Sequence, residues 1–135
     1  MFVTETSVRV RYSETDKMGF VYHGVYPQYY EIGREEALRY LGVSYKMLED
    51  SGIIMPVITM SLKYIKPVMY DDVLIVRTTV KEMPNVRMKF FYEIFKGDEL
   101  IHTGQNALVF LDDKTRKPVR VPEWFAKLFE KFFEE

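Results

Sequence analysis

Asp16 closes a polar stretch, Tyr12-Ser13-Glu14-Thr15-Asp16, that follows the β-rich run Val8, Val10, Tyr12. A turn at Gly19 and a short apolar run come next, and the pattern predicts a helix beginning near His23 and Gly24. A carboxylate held close to a helix N-terminus pairs a base with a site that favours developing negative charge. That pairing is the minimum equipment for hydrolysing an ester or a thioester. Asp16 is the candidate base, activating water, or the candidate nucleophile, forming a mixed anhydride. The residues leave both routes open. A free aspartate is a weak base near neutrality, so either route needs a partly desolvated pocket and a carbonyl polarised in advance.

Neighbouring residues have chemical and structural readings side by side. His23 orients Asp16 or the attacking water, or caps the helix, and its backbone N–H is a candidate oxyanion donor. Tyr12, four residues before Asp16, offers a phenol to the acid or to the acyl group, or is a core aromatic of the strand. Tyr22, Tyr26 and Tyr30 line an acyl tunnel or fill the core. Gly19 supplies a positive φ that places Asp16. Glu31 and Glu35 are weaker candidates for a second acid.

These residues need a scaffold. Alternation over 5–13 predicts a strand. From Val25 to Leu41 the apolar period becomes helical, with Tyr26, Tyr30, Gly33, Ala37 and Leu41 on one stripe. Glu31, Arg34, Glu35 and Arg39 lie mostly off it. Small residues at the stripe's centre let a sheet approach the helix, and Gly42 is a plausible end. A short helix is expected over 44–51. Strands follow over 55–65, 72–82, 86–96 and 99–111, with a tight turn at Lys96-Gly97-Asp98. Residues 122–134 read as an amphipathic helix. One early helix and a run of antiparallel strands predict an α+β layer of sheet over helix. The high aromatic content and uncovered sheet edges predict at least a dimer.

Composition narrows the function classes. The 135 residues predict one domain. A net charge of −1 argues against partners that are bound by phosphate neutralisation, so no nucleic acid is expected. There is no cysteine, which removes disulfides, thiolate metal sites and a Cys nucleophile, and fits a cytoplasmic protein. The two histidines, His23 and His102, are far apart without spaced acids, so no metal is expected, and His102 reads as structural. No signal peptide is visible, and no apolar run approaches the roughly 20 residues of a membrane span.

Taken together, Tyr12-x-x-Thr15-Asp16-x-x-Gly19-x-Val21-Tyr22-His23-x-x-Tyr26, then Tyr29-Tyr30-Glu31 with Arg34-Glu35, then Tyr64-x-x-Pro67-x-x-Tyr70-Asp71-Asp72, resemble the hotdog-fold acyl-CoA thioesterases of the 4-hydroxybenzoyl-CoA thioesterase family, YbgC-like branch. The resemblance covers nearly the whole chain. It implies a long helix wrapped by a curved antiparallel sheet of five or six strands. It also implies homodimers or homotetramers with active sites at the subunit interface, and no cofactor beyond the coenzyme A of the substrate. The family's catalytic acid falls on Asp16, its flanking Tyr and His on Tyr12 and His23, and its carbonyl-polarising amide on or next to His23, with Gly24 beside it.

Phosphates of CoA call for Lys and Arg at an open rim. Candidates are Lys63, Lys66, Arg87, Lys89, Arg116, Lys117 and Arg120. The cluster from Lys114 to Arg120 sits where the 4-hydroxybenzoyl-CoA branch carries basic residues. The paired arginines of that branch are missing at Pro84-Asn85. Three other readings stand beside CoA hydrolysis. The first is a thioesterase acting on acyl carrier protein, the second a non-catalytic acyl-CoA-binding protein. The third, a hotdog dehydratase, finds no matching motif.

Overall fold

The structure of the protein, a computed structural model, describes residues 1–134. Strand β1 (Phe2–Arg9) turns alternate residues inward, with Phe2, Thr4, Thr6 and Val8 more buried than the residues between them. It stops short of residue 13. The Arg11 carbonyl accepts the Glu14 N–H at 3.0 Å, and the Glu14 carboxylate accepts the Arg11 N–H at 2.8 Å. These reciprocal bonds wind Tyr12–Glu14 into a 3-10 turn instead of continuing the strand.

Helix α1 (Tyr26–Tyr40) is entered through a second 3-10 turn, His23–Val25. Pro27 sits in its first turn, where a missing N–H costs no helical bond. The expected stripe is present: Tyr26, Tyr30, Gly33 and Ala37 are buried and Leu41 is half-buried. At Gly33 a Cβ would collide with the Thr78 hydroxyl, so the absence of a side chain sets how closely helix and sheet approach. Arg34 departs from the expectation and is buried. Its Nε donates to the Tyr45 hydroxyl at 3.0 Å and its Nη1 to the Tyr92 hydroxyl at 3.2 Å. Gly42 ends the helix at φ 82°, with the Val43 N–H reaching back to the Leu38 carbonyl. Ser44 then caps α2 (Tyr45–Asp50) by accepting the Met47 N–H.

The remaining strands are β2 (Ile53–Ile54), β3 (Val57–Tyr64), β4 (Val73–Val80), β5 (Arg87–Lys96), β6 (Glu99–Val109) and β7 (Leu111–Asp112). Five form one antiparallel sheet in the order β1-β4-β5-β6-β3, and β2 pairs with β7 separately. Helix α1 lies on the face that carries Leu74, Val76, Tyr92 and Ile94, where the Tyr30 and Tyr92 rings stack at 4.1 Å. Helix α3 (Glu123–Glu130) is shorter than the 122–134 pattern, and it buries Phe125 and Phe129 against Phe110 and Phe2. Edge strand β3 remains thinly covered: Met60 and Leu62 are half-buried, while Val57, Ile58 and Tyr64 are exposed. A long helix against a five-stranded antiparallel sheet is the α+β hotdog arrangement, at the lower of the two strand numbers expected. No helix among the described residues is long and apolar enough to cross a membrane.

Candidate active site

Asp16 is held by its own turn. Its N–H donates to the Phe20 carbonyl at 2.8 Å, and its carbonyl accepts the Gly19 N–H at 3.0 Å. One carboxylate oxygen, Oδ1, accepts the N–H groups of Met18 at 2.9 Å and Phe20 at 3.3 Å. Gly19 has φ 87°, which lets the chain reverse at this point. Asp16 therefore caps its own turn, and it uses Oδ1 to do so. No bond to Oδ2 is formed among the described residues. The turn is tied down on both sides. The Val21 N–H donates to the Val68 carbonyl at 2.9 Å and the Tyr22 N–H to the Glu14 carbonyl at 2.9 Å. Glu14 Oε1 also accepts the Tyr29 hydroxyl at 3.0 Å, which anchors the loop to α1.

A cavity of about 290 Å³ opens beside this turn, with Asp16, Met18, Phe20, Val21, His23, Tyr26, Tyr64, Ile65, Lys66 and Pro67 in its wall. Its lining is mostly apolar, as an acyl group requires. Asp16 is half-buried and His23 exposed at the rim. The N–H groups of His23 and Gly24 find no acceptor among the described residues, whereas the Val25 N–H closes onto the Tyr22 carbonyl at 2.9 Å. Two unused donors at the start of a helix, that of His23 in the wall that carries Asp16 and that of Gly24 next to it in the chain, can receive a carbonyl oxygen as it becomes negative. The Tyr22 ring packs 4.2 Å from the His23 ring and covers Gly24, where a Cβ would press on it.

Behind the wall lies a buried aromatic group centred on His102, which has no exposed surface. Tyr26 stacks on its ring at 4.3 Å and 15°, and Tyr64 meets it edge-on at 5.0 Å. The Tyr30 hydroxyl and His102 Nε2 share a hydrogen bond, while Nδ1 has no partner. Burial lowers the imidazole from its ordinary 6.5 to about 4, so it is neutral at pH 7. Burial likewise pushes the Tyr26 phenol up to about 12.

Comparison with known proteins fits this geometry. Residues 10–129 match the family model described as the thioesterase-like superfamily. The chain belongs to that superfamily. Among curated relatives, it is 30% identical over 129 residues to the Bacillus subtilis (strain 168) protein YneP, provisionally named an acyl-CoA thioesterase, covering 92% of this chain and 94% of that one. It is 30% identical over 124 residues to the acyl-CoA thioester hydrolase YbgC of Escherichia coli O6:H1, covering 91% and 92%. The solved structure of a DHNA-CoA thioesterase from Staphylococcus aureus superposes with a TM-score of 0.91 at 36% identity, covering 98% of this chain and 92% of that one.

This member of the superfamily brings together only some of the residues that its sequence suggested. Asp16, His23 and Tyr26 share the cavity; Tyr22 and Gly24 flank His23 in the chain but are not among its lining residues. Tyr12 does not meet Asp16. It is 78% exposed, pairs its ring with Tyr70 at 5.5 Å, and lines a separate cleft with Arg9, Arg11 and Gln28. The 3-10 turn at Tyr12–Glu14 is what points it away. Tyr30 is fully buried outside the cavity lining, its hydroxyl bonded to His102. Lys63 lies on the outer sheet face, beside Thr103 and Gln105. Arg116, Lys117 and Arg120 are exposed on the segment after β7, outside the Asp16 cavity. The cation that does line it is Lys66. Sequence reasoning assigned no role to Tyr64, Phe20 or Ile65. The Tyr64-x-x-Pro67 spacing was the available signal for the first.

Proposed function

We propose that this protein hydrolyses acyl-CoA thioesters to a carboxylate and free coenzyme A. One observation carries the reading: Asp16 and His23 line the same apolar cavity, and the amides of His23 and of Gly24 next to it have no acceptor among the described residues. The thioester carbonyl lies against the amides, which take up charge as the oxygen becomes negative. Asp16 removes a proton from water as the water attacks, or attacks the carbonyl itself to form a mixed anhydride that a water then hydrolyses, freeing Asp16. Either way the C–S bond breaks, the thiolate leaves as CoA–S⁻ and takes up a proton, and the acyl group departs as a carboxylate. His23 orients the acid or the water. The only cofactor-like group required is the coenzyme A of the substrate.

The thin cover on β3 supports a homodimer joined along that strand, with the cavity beside the seam; a tetramer of such dimers is the larger alternative. The expected mass in solution is two or four times the 16.1 kDa chain.

The test is CoA release from a panel of short, long and aromatic acyl-CoAs, by wild type and Asp16→Asn. Aromatic acyls belong in the panel because Phe20, Tyr26 and Tyr64 line the wall. Turnover by wild type with a loss of about 100-fold in the variant is the expected result. Binding of CoA without turnover by either protein would overturn it in favour of a binding protein. Turnover only with acyl groups on carrier protein would move the substrate to that partner.

A further inference from the structure

The cavity wall contains one contact that the hydrolytic scheme above leaves unused. The Tyr64 hydroxyl donates to the backbone carbonyl of His23 at 2.7 Å, bridging the end of edge strand β3 to the turn that opens α1. That carbonyl belongs to the same peptide unit as the Gly24 N–H. A peptide unit is planar and trans, so its C=O and N–H point in opposite directions. Fixing the oxygen therefore fixes the direction of the N–H. A hydrogen bond accepted by the carbonyl also polarises the amide and strengthens it as a donor.

We infer that Tyr64 is a positioning residue for thioester hydrolysis, holding the His23–Gly24 peptide so that its N–H is directed at the thioester carbonyl. This inference rests on the hydrolase reading given above. Three features make Tyr64 suited to the task. Its ring is seated edge-on against His102 and Tyr26, at 5.0 and 5.1 Å, so the hydroxyl is aimed by packing and not by a free rotor. Gly24 carries no side chain, and the Tyr22 ring already occupies the space a Cβ would need, leaving little room for the turn to relax another way. The turn itself is only three residues long, and the Val25 N–H closes it onto the Tyr22 carbonyl. Without Tyr64 the His23 carbonyl has no other side-chain partner among the described residues.

The test removes the hydroxyl and nothing else. Tyr64→Phe keeps the ring, its contacts with His102 and Tyr26, and the cavity volume. The expected result is a kcat reduced about tenfold or more for the best acyl-CoA of the panel, with KM within twofold and the melting temperature unchanged. In a spectrum of ¹⁵N-glycine-labelled protein, the Gly24 amide is expected to shift upfield while the resonances of distant glycines such as Gly97 stay in place. A variant with wild-type kcat, or one whose loss comes with a raised KM or a lowered melting temperature, overturns the proposal. Failure of the hydrolase reading looks different: wild type itself then releases no CoA.

Discussion

The Tyr30 hydroxyl rests on the backbone of Gly104, in the space where any other residue would carry its Cβ. Gly104 is in the middle of β6, flanked by β5 and β3, and Tyr30 reaches it from the centre of α1. A methyl group at 104 would overlap the phenol and also crowd the Ser61 carbonyl. The ring cannot retreat easily, because it stacks on Tyr92 and its hydroxyl is bonded to His102. Gly104→Ala is therefore expected to destabilise the fold by about 2–3 kcal/mol, the upper range for overpacking a well-filled core. Urea unfolding checks this: the midpoint falls while the slope stays constant. An unchanged midpoint would mean that the helix and sheet are farther apart than described.

His102 makes stability depend on pH in a definite direction. Burial holds its folded-state value near 4, against 6.5 when exposed. Between those values the unfolded chain binds a proton that the folded chain refuses, so stability rises with pH. The contribution is complete above pH 6.5, is lost as pH falls, and is exhausted near pH 4. Its full size is about 3 kcal/mol, of which about 2 kcal/mol disappears between pH 6.5 and 5. Urea unfolding of wild type and His102→Gln across this window reads it directly. The variant keeps a hydrogen-bonding group for Tyr30 but cannot titrate, so its curve is expected to be flatter by that amount. Parallel curves would show that His102 is not the group responsible.

Much of this arrangement was legible in the sequence where a period carries the information. The stripe from Tyr26 to Ala37 repeats with the geometry of one helix, and the strand expected over 86–96 is found at Arg87–Lys96, where Met88, Phe90, Tyr92 and Ile94 are buried while Val86 stays exposed outside it. Asp16 was legible for a different reason: its turn is closed by residues within four positions of it. What escaped is non-local. Arg34 is buried by phenols 11 and 58 residues away, and Tyr64 reaches His23 across 41 residues. Tyr12 lies close to Asp16 along the chain, yet a local 3-10 turn leaves its ring against Tyr70 in a separate cleft. Spacing on a strand gave no warning of that turn.

The same loss of phase after a strand separates Lys63 from Lys66, and the two make a paired test of where the phosphates of CoA lie. Lys63 is still within β3 and follows its alternation to the outer face of the sheet. Two residues after the strand ends, Lys66 lines the Asp16 cavity, its Nζ bonded to Glu99 at 2.7 Å. An exposed ion pair of this kind is weak, so Lys66 can exchange Glu99 for a phosphate at little cost. Lys66→Ala is expected to raise KM for acyl-CoA about fivefold with kcat unchanged, and the difference is expected to shrink in high salt as charges are screened. Lys63→Ala is expected to leave both constants as they are. Repeating the assay with an N-acetylcysteamine thioester, which carries the acyl group and no phosphate, isolates the charge effect. There Lys66→Ala and wild type are expected to coincide. If the variant is equally impaired on that truncated substrate, Lys66 acts on the acyl end of the cavity, and the phosphates must be held elsewhere.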